Sequence, residues 1–389
     1  MTKIYLILLS LLASCATHTI KTTEYTPVVQ GTGNIIESML LDIGVTIMDA
    51  GLDDLQSRDG EVVSSDIRLA EARYATYLLS NTLQRSGNWG IVYLLPNDRV
   101  IMDVYIDGII LRSNGEEMLI QVTVRDSTGI TWYTTLYKEI ISQFSYEPSE
   151  LRVHDPFQVI YNNIVNDLLE FRDDNISTSE ISNIRAISEM QFARSFAPDA
   201  FEEHLYQDKD GVYKLNSLPS ETDPLLSSVR IIRERDYMFV DTIQDYYENY
   251  TRLMRNPYDS WRELAYDETI EIRELQTSAL RRKVIGGALV LGGIAGAVNA
   301  GSYVGQTAGV VAIGAGATLV KEGFNKSTEA EFREETLREL NESFANDVAP
   351  KTIAIENRTV ILSGNIEEQY KQWREILANM YNEETQLIQ

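Results

Sequence analysis

The feature that most constrains this chain is a run of 37 residues without a charge, Val284–Val320, within 389 residues. Arg281-Arg282-Lys283 precede the run and Lys321 ends it. A single helix of this length would measure about 55 Å, well beyond the thickness of a bilayer. Because the sequence at 299–302, Asn-Ala-Gly-Ser, favours a turn, we predict a hairpin of two helices, 284–298 and 303–320.

Glycines within this run recur at steps of four, namely Gly292 and Gly296, then Gly301, Gly305 and Gly309. A step of four places glycines on one side of a helix and lets a second helix approach closely. We therefore predict that these five glycines serve helix packing or self-association. Over these 37 residues alone, the sequence resembles the glycine-zipper segments of bacterial envelope lipoproteins and channel-forming proteins.

The sequence allows two environments for the hairpin, the membrane or the interior of a protein. Each arm would reach about 22–27 Å, short for an average bilayer but suited to a thin outer membrane. Against insertion, the arms are rich in Gly and Ala, and the basic residues at both ends run against the usual charge bias. The alternative is a hairpin buried within protein, as a core or an oligomer interface.

The first residues predict export and lipid attachment. Lys3 precedes an apolar run, 4–12, that is too short to cross a bilayer. Leu12-Ala13-Ser14-Cys15 then resembles the lipobox of bacterial lipoproteins, and the alternative is an ordinary signal peptide with an incidental cysteine. The resemblance implies cleavage before Cys15 and acylation of that residue with lipid, including palmitate. Since Ala16 follows rather than Asp, it also implies, in a Gram-negative host, an outer-membrane lipoprotein that faces the periplasm.

Composition and motifs argue against several functions. Cys15 is the only cysteine, so no disulfide within the chain stabilises the fold. A net charge of −24 opposes binding to nucleic acid. His18, His154 and His204 lack the spacing of metal ligands, and no nucleophile motif or phosphate-binding loop occurs. We therefore expect no cofactor, no metal and no enzyme activity, and we interpret 208–211, Asp-Lys-Asp-Gly, as a solvated turn rather than a calcium loop.

The predicted fold class is α+β. Residues 34–174 predict the order β-α-β-β-β-β-α, with strands at 40–48, 91–95, 100–111, 118–124 and 130–141 and helices at 67–83 and 156–171. This order, with the strand sequence Met-Asp-Val-Tyr-Ile-Asp-Gly at 102–108, loosely resembles the N-terminal domain of the translocation protein TolB and the curli-secretion lipoprotein. The resemblance implies binding and assembly rather than catalysis.

The remaining chain predicts a mainly helical region. A heptad-like seam comprises Ile232, Phe239, Ile243, Tyr246, Tyr250 and Leu253. We expect Asn256-Pro257 to end this helix and a second helix to follow. The domain boundaries are a signal peptide 1–14, a flexible tether 15–33, an α+β domain 34–174, a helical region 175–283, the glycine-rich hairpin 284–320, and a C-terminal region 321–389 with a helix, a small β-hairpin and a terminal helix.

Two helical segments share the pattern Tyr-x-x-Trp-Arg-Glu, at 258–263 and 370–375. One interpretation makes Trp261, Arg262, Trp373 and Arg374 docking anchors for a partner. The favoured interpretation is that the tyrosines and tryptophans fill the core while the arginines and glutamates face water.

Together these features predict a lipid-anchored periplasmic scaffold or assembly protein of the bacterial envelope, without enzyme activity. Its expected partners are the membrane, through Cys15 and through 284–320 if that segment inserts, and either a second copy or another envelope protein. The alternatives are an oligomeric pore-forming or membrane-perturbing lipoprotein and, less favoured, an envelope hydrolase.

Overall fold

The computed structural model describes residues 25–31, 33, 36–52, 65–95, 100–146, 154–296, 351–355, 358–362 and 365–386. The helices are α1 (Ser65–Ser86), α2 (Gln158–Asn175), α3 (Thr178–Phe196), α4 (Pro198–Phe201), α5 (Pro224–Gly296) and α6 (Ile366–Gln386). The main strands are β1 (Ile43–Thr46), β2 (Val92–Leu95), β3 (Val104–Ser113), β4 (Glu117–Asp126) and β5 (Thr131–Ile140). Two small hairpins comprise β6 (Leu205–Gln207) with β7 (Tyr213–Leu215), and β8 (Lys351–Ile355) with β9 (Arg358–Leu362).

A five-stranded sheet in the order β2-β1-β3-β4-β5 forms the centre of the N-terminal part. The helix α1 crosses between the parallel strands β1 and β2, and β3, β4 and β5 follow as antiparallel neighbours. Gly115 and Gly129 have φ of 83° and 89° in the two hairpin turns, a conformation that glycine adopts cheaply. The predicted α+β class and the element order are confirmed.

Two hydrophobic cores cover the two faces of this sheet. On one face, alternate residues of β4 pack beneath α1 and α2; they are Met118, Ile120, Val122 and Val124. On the other face, Leu94 and Tyr105 contact a core that α3, α5 and α6 complete. Because β2 is covered on both faces, all four of its residues are buried.

The long helix α5 corrects the prediction of a break at Asn256-Pro257. It is one helix of 73 residues with Pro257 in its interior, about 110 Å long at 1.5 Å per residue. The carbonyl that loses its partner belongs to Leu253, whose side chain is exposed, so water has access to it. Buried residues on both sides of the proline, Met254 and Tyr258, anchor both halves of the helix to the body.

A side chain of α5 also protects one edge of the sheet. The amide of Gln244 accepts a hydrogen bond from the Leu94 N–H at 3.0 Å and donates one to the Leu94 carbonyl at 3.0 Å. Both backbone groups of an edge residue in β2 are thereby satisfied, as an added strand would satisfy them.

Residues 25–31, which were predicted to belong to the tether, lie against the body. Asn88 and Asn162 donate to the carbonyls of Val29 and Thr26 at 2.8 Å, and the Val29 N–H donates to Asn166 at 2.9 Å. These amide side chains replace the water that a free tether would bind.

The C-terminal helix α6 packs on α5. The predicted β-hairpin is present as β8 and β9, and the ring of Phe239 on α5 stacks against Tyr370 and Trp373 of α6. The predicted second arm of the glycine-rich hairpin and the first helix predicted for the C-terminal region lie outside the described residues. Within the described part of the chain, no helix combines the length and the apolar character that a membrane crossing requires.

Candidate functional site

The first Tyr-x-x-Trp-Arg motif forms a buried ionic joint between α5 and the body. Arg262 is fully buried and donates two parallel hydrogen bonds to the Asp155 carboxylate, at 3.1 and 2.7 Å. The Tyr258 ring lies 4.3 Å beneath the guanidinium, and Asp259 accepts a further bond from it. Burial alone would raise the pKa of Asp155, but the charge and the hydrogen bonds of Arg262 hold the pKa below its ordinary value.

A second buried acid extends this joint towards the sheet. Glu71 on α1 pairs with Arg68 at 3.1 Å, and the Ser113 hydroxyl donates to the Glu71 carboxylate at 2.5 Å. The Tyr258 hydroxyl donates to the same carboxylate. Burial and the Glu71 charge raise the pKa of Tyr258 well above its ordinary value, so the tyrosine remains a donor.

These contacts correct the docking interpretation for the first motif. Trp261 is 1% exposed and Arg262 is 0% exposed, so neither side chain is available to another protein. The core interpretation is right for Trp261 but wrong for Arg262, which does not face water. The two residues form a buried structural contact, because the charged partners of Arg262 lie within the chain.

The second motif, on α6, is buried at two positions and open at the third. Trp373 is 1% exposed, which again corrects the docking interpretation, and the Tyr370 hydroxyl donates to Asp236 on α5 at 3.2 Å. Arg374 instead keeps 22% of its side chain exposed. It donates to the Ser195 hydroxyl at 2.9 Å and stays 3.8 Å from Asp236.

Arg374 opens into a cleft of about 780 Å³ between α3, α6 and β7. The cleft contains three cationic side chains, Arg194, Lys371 and Arg374, and aromatic walls that include Phe196 and Tyr213. A volume of this size falls within the range of ligand-binding pockets. Of the four proposed docking residues, Arg374 is therefore the one that the structure places at an accessible surface.

A second, more polar cleft of about 470 Å³ lies where α3 and α5 meet the starts of β1 and β3. Asp103 accepts hydrogen bonds from Ser188 and from the Asp42 N–H, and the Tyr237 hydroxyl donates to Asp42 at 3.3 Å. Burial raises the pKa of Asp103, against the opposing charge of Arg233. These groups connect four elements, and within the described contacts no histidine joins the hydroxyl–carboxylate pair of Ser188 and Asp103.

The other predicted site residues fall at or beyond the limits of the described chain. Gly292 and Gly296 lie in the last turns of α5. Cys15, Gly301, Gly305 and Gly309 lie outside the described residues. The structure thus assigns Gly292 and Gly296 to one helix.

Metal-binding potential is low in the part of the chain that the structure describes. No group of three or more His, Cys, Asp or Glu side chains there could hold a metal ion. The sequence 208–211 forms the turn between β6 and β7, where Asp208 accepts hydrogen bonds from the N–H groups of Asp210 and Val212 and pairs with Lys214. The prediction of a turn at this position is confirmed.

Comparison with known proteins adds no relative: no protein family, curated protein or solved structure matches the chain.

Sequence reasoning missed several residues of these sites. Asp155 follows a segment without clear periodicity, and Arg194 lies in an ordinary amphipathic helix. Asp236 offered the best signal, because it occupies a core-facing position of α5 between Ile232 and Phe239. A carboxylate at such a position requires a buried partner.

Proposed function

We propose that this chain is a lipid-anchored, non-enzymatic scaffold of the bacterial envelope that assembles through its glycine-rich segment. The observation that carries the proposal is the continuity of α5. One helix begins within the body and enters the uncharged run, reaching Gly296. Gly292 and Gly296 therefore belong to a helix that starts within the body.

Several contacts fix α5 to the body before that run. Beyond the Arg262–Asp155 pair, the Thr269 hydroxyl donates to the Asn114 carbonyl at 2.9 Å, and Arg273 pairs with Glu116. From Arg273 the helix continues for 23 residues, about 35 Å. A helix held in this way transmits the position of the body to its glycine-rich end, which suits a scaffold.

The N-terminal segment supports a position of the folded body close to the membrane. With residues 25–31 docked on the body, ten residues, 15–24, separate the proposed lipid from the fold. Ten extended residues span at most about 35 Å. A body held on so short a connection stays near the membrane surface, where identical copies meet at high local concentration.

The double change Gly292→Val and Gly296→Val is expected to weaken self-association of the full-length protein about tenfold or more. Two valines keep a second helix from approaching that side of α5. The measurement is sedimentation velocity in detergent across a range of concentrations, with chemical crosslinking in membranes.

Gly287→Val provides the matched control for this change. At 100° per residue, Gly287 lies about 160° around the helix from the middle of the Gly292–Gly296 side. The control introduces the same type of side chain on the other side of the helix and is expected to leave association unchanged. Equal association of all three proteins would remove the glycines from the proposed assembly.

Cys15→Ala, exported with a signal that is not lipidated, is expected to leave the membrane pellet after an alkaline carbonate wash. The reason is that the acyl chains supply the proposed anchor, while the wild-type protein keeps them and stays in the pellet. Retention of the variant would contradict lipid as the only anchor. It would favour the alternative in which 284–320 inserts into the bilayer.

A further inference from the structure

Two arginines line the cleft between α3 and α6, and each lies over an aromatic ring. The Arg374 guanidinium lies 4.1 Å from the centre of the Phe196 ring, and that of Arg194 lies 5.4 Å from the centre of the Tyr213 ring. Stacking on a ring holds the plane of a guanidinium and leaves its edge free to donate in-plane hydrogen bonds. This is the arrangement that arginine uses to bind carboxylates and phosphates.

Most donors of these two side chains are unused within the described contacts. Of its five N–H donors, Arg374 uses one in the bond to Ser195, and its nearest acid, Asp236, is 3.8 Å away. Arg194 makes no hydrogen bond and no ion pair with any residue that the structure describes; its contact there is the Tyr213 ring. Within that part of the chain, Arg194 therefore has no anionic partner and Arg374 has Asp236 at 3.8 Å, so both side chains keep N–H donors free for a ligand in one cavity.

The acids around the cleft define which anion fits. Glu367, Glu368 and Glu375 are exposed on α6 and line the cavity, and Glu367 and Glu375 lie one turn before and one turn after Lys371. An extended polyanion, or an anionic membrane, would be repelled by these acids and by the net charge of −24. A single carboxylate with basic neighbours would place opposite charges against both the arginines and the glutamates.

We propose that this cleft binds a peptide segment of a partner protein, with an Asp or Glu side chain on Arg194 and Arg374 and with Lys or Arg neighbours on Glu367 and Glu375. The volume of about 780 Å³ admits several side chains, and Phe196 and Tyr213 supply apolar surface for the residue beside the acid. The inference rests on the proposed function in one respect, because the scaffold role places the partner protein in the envelope. Its test is independent of self-association.

The test uses the full-length protein and a fluorescein-labelled peptide of sequence Lys-Ala-Phe-Glu-Ala-Lys. Fluorescence anisotropy is expected to show saturable binding, and the Gln-for-Glu peptide is expected to bind about tenfold or more weakly, because it lacks the charge-assisted pair. Arg194→Gln and Arg374→Lys are expected to weaken binding of the Glu peptide by a similar factor. Arg374→Lys keeps the positive charge beside Asp236, so the fold is preserved while the forked donor is lost.

Arg112→Gln is the matched control, since Arg112 is a half-exposed arginine on β3 outside the cleft. It is expected to bind the Glu peptide as the wild type does. Equal binding of the Glu and Gln peptides, no saturation at millimolar peptide, or unchanged binding by both cleft variants would overturn the proposal. Binding of phosphatidylglycerol vesicles that depends on Arg374 would overturn it in favour of a lipid headgroup. Loss of peptide binding together with intact self-association would remove the cleft proposal alone and leave the scaffold.

Discussion

Replacing Arg262 with alanine is expected to lower the free energy of unfolding by about 3–5 kcal/mol at pH 7. The variant leaves the carboxylate of Asp155, whose side chain is 3% exposed, without its cationic partner in a buried position. It also removes the guanidinium that lies against the Tyr258 ring. Urea unfolding, followed by tryptophan fluorescence and circular dichroism, measures the loss.

Two controls separate this joint from an ordinary surface pair. Arg230→Ala breaks pairs with Glu189 and Glu221 at an arginine that is 41% exposed, and it is expected to cost less than about 1 kcal/mol. The double variant Arg262→Met, Asp155→Leu removes both buried charges and is expected to recover most of the loss. An effect of Arg262→Ala no larger than that of Arg230→Ala would show that the joint does not hold α5 to the body.

Local patterns in the sequence were sufficient for most of the N-terminal fold. The alternation along β4 and the glycines of the two hairpin turns are short-range signals, and the structure confirms the elements that they predicted. The heptad-like seam succeeded at Ile232, Phe239 and Ile243 but failed at Leu253, which is 53% exposed. A straight helix repeats every 3.6 residues, so the buried side drifts from a strict seven-residue repeat and reaches Met254 instead.

The break predicted at Pro257 failed for a different reason. Helix propensity counts the cost of proline within the segment, about 3 kcal/mol, and cannot count tertiary contacts. Here Tyr258 and Arg262 contact residues of α1 and of the segment before α2, more than 100 positions away in the chain. The cleft could not be predicted from local sequence patterns either, because Arg194 and Arg374 come together only after α3 and α6 pack.

The change Asp236→Asn is expected to stabilise the protein by about 2–3 kcal/mol at pH 7.5 and by much less at pH 4.5. Asp236 is 2% exposed, one of its carboxylate oxygens has no hydrogen-bond partner, and the other accepts from Tyr370. Burial raises its pKa from 3.8 to about 6, although the charge of Arg374 opposes the change. Asparagine keeps an acceptor for Tyr370 without the buried charge.

The direction of this pH dependence follows from proton binding to Asp236 in the folded and unfolded states. Between about pH 4 and pH 6 the folded protein holds a proton on Asp236 that the unfolded chain has released, so the contribution of this group to stability falls as the pH rises through that window. A shift of about two units corresponds to about 3 kcal/mol, and this penalty is complete above pH 6. Comparing the urea unfolding of the variant and the wild type at both pH values cancels the contributions of the other titrating groups to stability.

Asp267→Asn, at an exposed position of the same helix, is the matched control and is expected to change stability by a few tenths of a kcal/mol at either pH. If Asp236→Asn has the same effect at pH 4.5 and pH 7.5, Asp236 does not retain its proton in the folded protein. If the effect grows with pH as expected, the contact between α5 and α6 tightens in acid. Arg374, which opens into the cleft, then has a neighbour whose charge depends on pH.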